Sequence, residues 1–405
     1  MKILMLHNRY QHAGGEDAVV QAEIALLEAH GHHVELLEAH NDEITGGLGK
    51  ARAALSALYS LPGRRRAEEA ISRFQPDLVH VHNFFPLLSP SVYDACREDG
   101  VPVLQTLHNY RLACPNALFF RDGKVCEDCL GQAVPWSGIL RGCYRNSRSQ
   151  SAGVAAMIAV HRLRDTWRRV NAFIALTEFQ KGKFVQAGLP EDRLHVKPNF
   201  AFDPGPRPDG QPLGGSPTGN YALYVGRLSD EKGIEPLIRA YVEQKLDIPL
   251  MILGAGPLRE PMERWVRAEG MDGIVSFLGA RDRAEVTRLM QGARFLVFPS
   301  ICYEGFPMAI AEAFASGIPV LASRLGAVPD ILLDGQAGWL AEPGEPSSWA
   351  ETLKAAWQDH EGTLRRGKAA RAAYEQHYSP DANYRQLMTI YQAASERSDR
   401  HVPCH

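Results

Sequence analysis

Phe295-Leu296-Val297-Phe298-Pro299-Ser300-Ile301-Cys302-Tyr303-Glu304-Gly305-Phe306-Pro307-Met308-Ala309-Ile310-Ala311-Glu312-Ala313 reads as a strand, a loop and the start of a helix. Four consecutive apolar residues suit a strand buried on both faces of a parallel sheet. Pro299 ends that run, and Pro307 suits the first turn of a new helix. Glu304 is then expected just before the helix, beside its free amides, and Glu312 in the second turn. Met308, Ile310, Ala311, Ala313 and Phe314 should face the core. A carboxylate among them is costly to bury, so Glu312 must be paired or aimed into a cleft. Two carboxylates so spaced can accept hydrogen bonds from separate hydroxyl clusters of one polyol ligand. A helix cap plus an ordinary helix glutamate would explain each singly, but explains their spacing around Gly-Phe-Pro poorly.

The same strand–loop–helix rhythm runs outward in both directions, which marks an α/β protein with parallel sheets. In the first half the expected strands are Ile3–Leu6, Val34–Leu37, Leu78–Val81, Val103–Leu107 and Phe173–Leu176. A helix over Asp17–His30 should close at Gly31, and Thr177 should cap a helix running to Gly188. Residues 203–219 hold ten Gly or Pro in seventeen positions, so neither helix nor central strand can form there. A second series follows at Ala222–Val225, Leu250–Leu253, Val275–Leu278, Phe295–Phe298 and Val320–Ala322. Helices are expected at Ser347–Gln358, Leu364–His377 and Pro380–Ser395. The resulting organisation is an N-terminal domain at 1–202, a linker at 203–219 and a second domain at 220–378. A final helix at 379–398 would return to the first domain. Two Rossmann-like domains facing across a cleft is the architecture this implies, with ligands beyond the carboxyl ends of the strands.

Composition narrows the class. The chain has 405 residues and a formal charge of −3, from 44 Lys+Arg against 47 Asp+Glu, so no bulk field draws it to nucleic acid. The apolar run after Met1 is too short for a signal peptide, and no run approaches the ~20 residues of a spanning helix. A cytoplasmic protein, at most peripheral on the membrane face, is expected.

Three further loops carry chemistry. Gly14-Gly15-Glu16, after His12-Ala13, precedes a helix, where bare backbone amides favour an anion. Gly226-Arg227-Leu228-Ser229-Asp230-Glu231-Lys232-Gly233 follows a strand, and two cations there can converge on a diphosphate. Asp230 and Glu231 are the acids that would neutralise them in an ordinary solvated loop. His108-Asn109 follows the fourth strand, and His80 and His82 read as structural or as acceptor-site lining.

Glu304 and Glu312 match the E-x7-E element of glycosyltransferase family 4, the retaining nucleotide-sugar transferases of GT-B fold. The glycine loop is similar to that family's, and Gly226-Arg227 with Lys232-Gly233 resembles its phosphate clamp. Lys197-Pro198-Asn199 looks like the end of the first domain, and Gly326-Ala327-Val328-Pro329-Asp330 like a later G-G-x-P-E element, with alanine and a shorter acid as departures. His108 resembles the family's histidine near the reacting sugar, although Asn109 stands where an acid is usual. The resemblance implies transfer of a sugar from a UDP- or GDP-sugar to a hydroxyl of a glycan or lipid-linked acceptor. It places His108, Glu304, Arg227 and Lys232 in catalysis. It places Gly14, Gly15, Asn199, Gly305, Phe306, Pro307 and Glu312 against substrate, and it requires no catalytic metal. A sugar-nucleotide epimerase, a phosphorylase and a silent nucleotide-sugar-binding scaffold are the competing readings. The carboxylate pair with the clamp, the missing pyridoxal-lysine context and the intact His108 argue against each in turn.

Two features lie outside that pattern. Cys114, Cys126, Cys129 and Cys143, in an insertion over about 113–147, suit a tetrahedral structural zinc site around one C-x2-C. Two disulfides or four unlinked thiols are the alternatives. Residues 141–169 hold seven arginines and one acid, Asp165, interleaved with Ala155, Met157, Ile158, Val160, Leu163 and Trp167. Such a segment suits either docking on an anionic membrane surface or a helix half-buried against the sheet.

Overall fold

The computed structural model describes residues 1–9, 14–43, 56–206, 213 and 219–399. His12, Ala13 and most of the expected linker, 207–212 and 214–218, lie outside the described residues. The chain divides into two compact units, one comprising 1–119, 126–199 and 383–405, the other 120–125 and 200–382.

The first unit is built on a parallel six-stranded sheet. Its strands are β1 (Lys2–Arg9), β2 (His33–His40), β3 (Leu78–Asn83), β4 (Val103–Thr106), β7 (Ala172–Ala175) and β8 (Leu194–Val196), in the order β2-β1-β3-β4-β7-β8. A two-stranded antiparallel hairpin, β5 (Phe120–Arg121) with β6 (Lys124–Val125), accounts for the missing numbers. Helix α1 (Gly15–Ala29) follows β1 and ends as expected, with Gly31 at φ +79 and its amide donating to the Glu28 carbonyl. Ile3, Met5, Leu78, Leu104 and Ile174 form the core of this sheet, together with Leu387, Ile390, Tyr391 and Ala394 of the C-terminal helix. Those four recur at helical spacing, so one face of that helix is apolar and packs on the sheet. Full burial of each aliphatic side chain contributes roughly 1.5–3 kcal/mol.

The second unit repeats the design. Its strands are β9 (Ala222–Val225), β10 (Leu250–Leu253), β11 (Val275–Gly279), β12 (Phe295–Phe298), β13 (Val320–Ser323) and β14 (Gly338–Ala341), ordered β11-β10-β9-β12-β13-β14. Both sheets reverse their strand order beside the first strand of the unit, between β1 and β3 and between β9 and β12. Ligands of open α/β sheets bind beyond the carboxyl ends of the strands at such switch points. The edge strands β8 and β14 carry no uniform apolar run, and for that reason were not anticipated.

The basic segment is mostly structural. Helix α2 (Arg148–Leu163) is capped by Ser147 and buries Ser151, Val154, Ala155, Met157, Ile158, Ala159 and His161. Most of its apolar stripe therefore packs on the fold, as the half-buried reading expected, while Leu163 at its end is exposed. Arg162 donates to the carbonyls of Gln132 and Ala187, and Arg169 and Arg141 pair with Asp94 and Asp128. These intramolecular acceptors are what the sequence alone could not supply. The Cys-rich stretch is likewise no separate insertion body, since 113–119 and 126–147 belong to the first unit and 120–125 group with the second. Among the described residues no helix is long and apolar enough to cross a membrane.

Candidate active site

In the second unit β9 and β12 are hydrogen-bonded neighbours, so their outgoing loops start side by side. Residues 226–233 leave β9, tighten into a 3₁₀ turn at Asp230–Lys232 and enter helix α3 (Ile234–Glu243). Residues 299–307 leave β12 and enter helix α4 (Met308–Ala315), with Pro307 as its N-cap rather than in its first turn. The Ile301 amide donates to the Glu231 carbonyl at 3.0 Å, which ties the loops together. Gly233 sits at φ +68, and a Cβ there would lie 1.8 Å from the Pro299 carbonyl oxygen, so only glycine allows this approach. From the other side the loop rests on the β10 turn, where a Cβ on Gly254 would meet the Gly226 oxygen at 1.8 Å. The G-x-G of that turn thus supports the clamp loop.

This stapling brings Lys232 to Glu304. The ammonium donates to Oε1 at 2.8 Å and Oε2 at 3.1 Å, and Ser300 Oγ donates to Oε1 at 2.6 Å. Burial pulls the Lys232 ammonium toward neutrality, but the Glu304 carboxylate outweighs it and holds Lys232 above its usual range. The acid paired with Lys232 is Glu304, because sheet order places β12 beside β9. Glu304 stands just before that helix, as expected, since the helix begins at Met308. The Arg227 side chain is exposed, while its carbonyl accepts from the Tyr224 hydroxyl at 2.8 Å.

Glu312 lies in the second turn of α4, with Ile310, Ala311, Ala313 and Phe314 buried around it. It lines a cleft of about 650 Å³ with Arg283, Thr287, Ser316 and Asp203. Burial raises its carboxyl above the usual range, and the Arg283 guanidinium partly offsets that. Glu304 does not line this cleft. Phe306 is buried against the Tyr378 ring at 5.3 Å, so its side chain serves packing. Gly305 and Pro307 carry the backbone between the two carboxylates.

In the first unit Gly14 and Gly15 open α1, and the Gly14 amide donates to Asp17 Oδ2 at 2.8 Å. A Cβ on either glycine would meet nothing, so the space above them is open. His7 Nε2 donates to the other Asp17 oxygen at 2.8 Å. The adjacent Glu16 carboxyl is pushed up to about 8, first by burial and then by Asp17. His108, Asn109 and Arg111 line a small pocket of about 20 Å³ with His82 and Phe85, roomy enough for one water. Asn199 is buried, and its Oδ1 has no hydrogen-bond partner among the described residues.

Sequence reasoning missed a buried network beneath His108. Lys197 Nζ donates to Glu23 Oε2 at 3.0 Å and to Asn383 Oδ1 at 3.1 Å. Glu23 Oε1 lies 3.1 Å from His80 Nδ1 and 3.3 Å from His82 Nε2, and His82 Nδ1 is 2.9 Å from His108 Nε2. Glu23 and Lys197 are each 1% exposed. Despite burial, which opposes its charge, Lys197 and the histidines hold the Glu23 carboxyl well below its usual range. The available signal was Glu23 itself, a charge within the α1 stripe Val19, Val20, Leu26 and Leu27. Glu23, His80 and His82 are the one described group whose ligand atoms lie together within 4.8 Å. The Lys197 ammonium already occupies that carboxylate and would repel a dication, so the group reads as a buried electrostatic cluster around the Lys197–Glu23 pair.

The four cysteines are unlinked, with Cys114 and Cys129 buried and Cys126 and Cys143 half-buried. The Cys129 thiol is pushed up to about 12 by burial and by its three cysteine neighbours. No three of their sulfurs lie within 4.8 Å. Tetrahedral zinc with Zn–S of about 2.3 Å would need sulfurs about 3.8 Å apart. A zinc ion here would therefore have to draw the four sulfurs together.

Residues 13–201 match the model described as Glycosyltransferase Family 4, and residues 211–373 the one described as Glycosyl transferases group 1. A D-inositol 3-phosphate glycosyltransferase of Corynebacterium efficiens is 31% identical over 190 residues, 44% of this chain and 44% of that protein. The putative colanic acid biosynthesis glycosyltransferase WcaL of Escherichia coli is 26% identical over 239 residues, 56% of this chain and 58% of its own. This chain thus spans about half the length of the curated relatives it matches. Among solved structures, Anabaena HepE in complex with UDP and glucose superposes with a TM-score of 0.67 at 19% identity, covering 97% of this chain and 100% of that one. Sucrose-phosphate synthase from Thermosynechococcus elongatus gives 0.70 at 18% identity, covering 96% and 98%. These likenesses show the fold, which is GT-B. With its two halves matching the two family models in order, the chain belongs to glycosyltransferase family 4.

Proposed function

We propose that this chain is a retaining glycosyltransferase that moves a sugar from a UDP- or GDP-sugar to a hydroxyl of a glycan or lipid-linked acceptor. The observation that carries the reading is the Lys232–Glu304 pair, where the loops leaving β9 and β12 meet. A donor's diphosphate would draw Lys232 from Glu304 and free the carboxylate to accept hydrogen bonds from the sugar. Lys232 and Arg227 would then stabilise the charge that grows on the leaving diphosphate, and positioned cations act strongly there. Glu312, in a cleft with Arg283, suits the nucleotide ribose. The leaving phosphate would help deprotonate the acceptor on the same face, so Glu304 holds the sugar and is not a nucleophile. His108 would meet the reacting sugar, as the resemblance implies.

A panel of UDP- and GDP-sugars tests this by thermal shift. A donor at a hundred times its Kd adds about 2.7 kcal/mol, or roughly 5–10 °C for a domain of this size. One nucleotide series should shift the transition and the other should not. Sugar release from the stabilising donor separates the enzyme from a silent binding scaffold, which would show the shift alone. No shift from any donor would sink the reading.

A structural zinc on Cys114, Cys126, Cys129 and Cys143 is a separate proposal, and it requires the four sulfurs to close on the ion. Such a site would hold the segment and take no part in transfer. Metal analysis of the purified protein should then give about one equivalent of zinc. A content below about 0.2 equivalents would dismiss it.

A further inference from the structure

His108 has two ring nitrogens, and they face different surroundings. Nε2 is 2.9 Å from His82 Nδ1, while the ring also borders the small pocket with Asn109 and Arg111. The Nδ1 edge has no hydrogen-bond partner among the described residues. Which nitrogen carries the proton decides what that edge can do, since a neutral imidazole has one donor and one acceptor.

The proton positions follow from the buried end of the chain. Lys197 lies 3.0 Å from Glu23 Oε2 and keeps that carboxylate charged. His82 Nε2 lies 3.3 Å from Oε1 without hydrogen-bond alignment, yet a proton is favoured there, because a carboxylate only accepts and a lone pair would face a buried negative charge. With Nε2 protonated, His82 Nδ1 is an acceptor, and only an N–H on His108 Nε2 can satisfy it at 2.9 Å. A second proton on either ring is disfavoured. Burial holds His82 down to about 3, and burial together with His82 holds His108 well below the usual range.

We propose that Glu23, acting through His82, fixes His108 in the tautomer with its proton on Nε2, so that Nδ1 faces the ligand as a neutral acceptor. The group His108 recognises is then a donor, a sugar hydroxyl, and not a phosphate or carboxylate oxygen. Glu23, His82 and Lys197 are positioning residues. The hydroxyl half rests on the sugar-transfer reading above, whereas the tautomer does not.

The test is nitrogen-15 NMR on the full chain with labelled histidine, reading two-bond proton–nitrogen couplings at pH 7. His108 is assigned by its loss in His108→Gln. The wild type should show His108 neutral and protonated on Nε2. Protonation on Nδ1, or an imidazolium, overturns the proposal without reference to activity. Glu23→Gln alone would strand the Lys197 charge, so the informative variant is Glu23→Gln with Lys197→Met. There the glutamine amide can donate to His82 Nε2, which should move the His108 proton to Nδ1. With the stabilising donor, kcat should then fall roughly 10–100-fold, as it does for other orienting partners, with donor KM changed by less than about threefold. Tyr391→Phe, which removes the hydroxyl 2.9 Å from His80 Nδ1, should leave both the tautomer and kcat as in wild type. A double variant that keeps the proton on Nε2, or a Tyr391→Phe that moves it, overturns the role of Glu23. If the double variant does not fold, the wild-type spectrum decides alone. A wild type with the expected tautomer but no transfer from any donor would defeat the sugar-transfer reading and leave the tautomer standing.

Discussion

Lys232→Ala is expected to lower turnover by about two to three orders of magnitude while the protein stays folded. The rate loss follows from removing one positioned cation from the leaving diphosphate, where a single donor is worth roughly 10²–10³ in kcat. The stability loss is smaller because the pair is only partly buried, with side-chain exposures of 28% for Lys232 and 14% for Glu304. Glu304 would keep the Ser300 hydroxyl at 2.6 Å and gain water in place of the ammonium, a cost of about 1–3 kcal/mol. Arg227→Ala separates the two effects more cleanly. Its side chain is exposed, so its removal should leave the unfolding midpoint unchanged while turnover falls comparably. Steady-state rates on the stabilising donor, set beside urea unfolding of each variant, provide the check. Turnover within about threefold of wild type in both variants would remove the clamp from the mechanism.

Lys197→Met should be the most destabilising single substitution in the first unit, by about 3–5 kcal/mol. The Lys197–Glu23 pair is almost fully buried, so deleting the ammonium leaves a carboxylate without its counter-charge beside two imidazoles. Neutralising both partners removes the same attraction but strands no charge. Glu23→Gln with Lys197→Met should therefore recover most of the loss. That non-additivity is the signature of a paired buried charge, and urea midpoints of the two singles and the double would show it. A Lys197→Met cost below about 1 kcal/mol would mean that Glu23 is not charged in the folded protein. The result bears on His108 as well, because a charged Glu23 is what orients His82.

Much of the fold was legible because its strands are short, uninterrupted apolar runs. Ala222–Val225, Leu250–Leu253 and Phe295–Phe298 have the bounds that their composition suggests. The edge strands Leu194–Val196 and Gly338–Ala341 were not legible, since one carries a histidine and the other begins with glycine. Within the site, the loop chemistry at Gly226–Gly233 and 299–307 could be read from residue type, whereas its pairings could not. Glu304 stands just before its helix as expected, but its pairing with Lys232, 72 positions away, had no signal in the spacing. Glu312 was expected in a cleft and lines one, because an isolated carboxylate on an apolar helix face has few alternatives. The basic segment left two readings open, since counting arginines says nothing about the carbonyls and carboxylates that fold onto them.

By itself the sequence determined that this is an α/β chain of two series, with a glycine loop, a cationic loop and a carboxylate pair after defined strands. Those properties are local, set by runs of apolar residues, by glycine and proline, and by spacing along one segment. The tertiary structure alone decided which loops meet. Sheet order sets β12 beside β9 and β3 beside β4, and so joins Lys232 to Glu304 and His82 to His108. It also folds Lys197 back onto Glu23 across 174 positions, where burial removes the water that would otherwise separate such charges. Neighbour relations between strands leave no trace in the spacing of either loop, which is why the buried network beneath His108 emerged only from the fold.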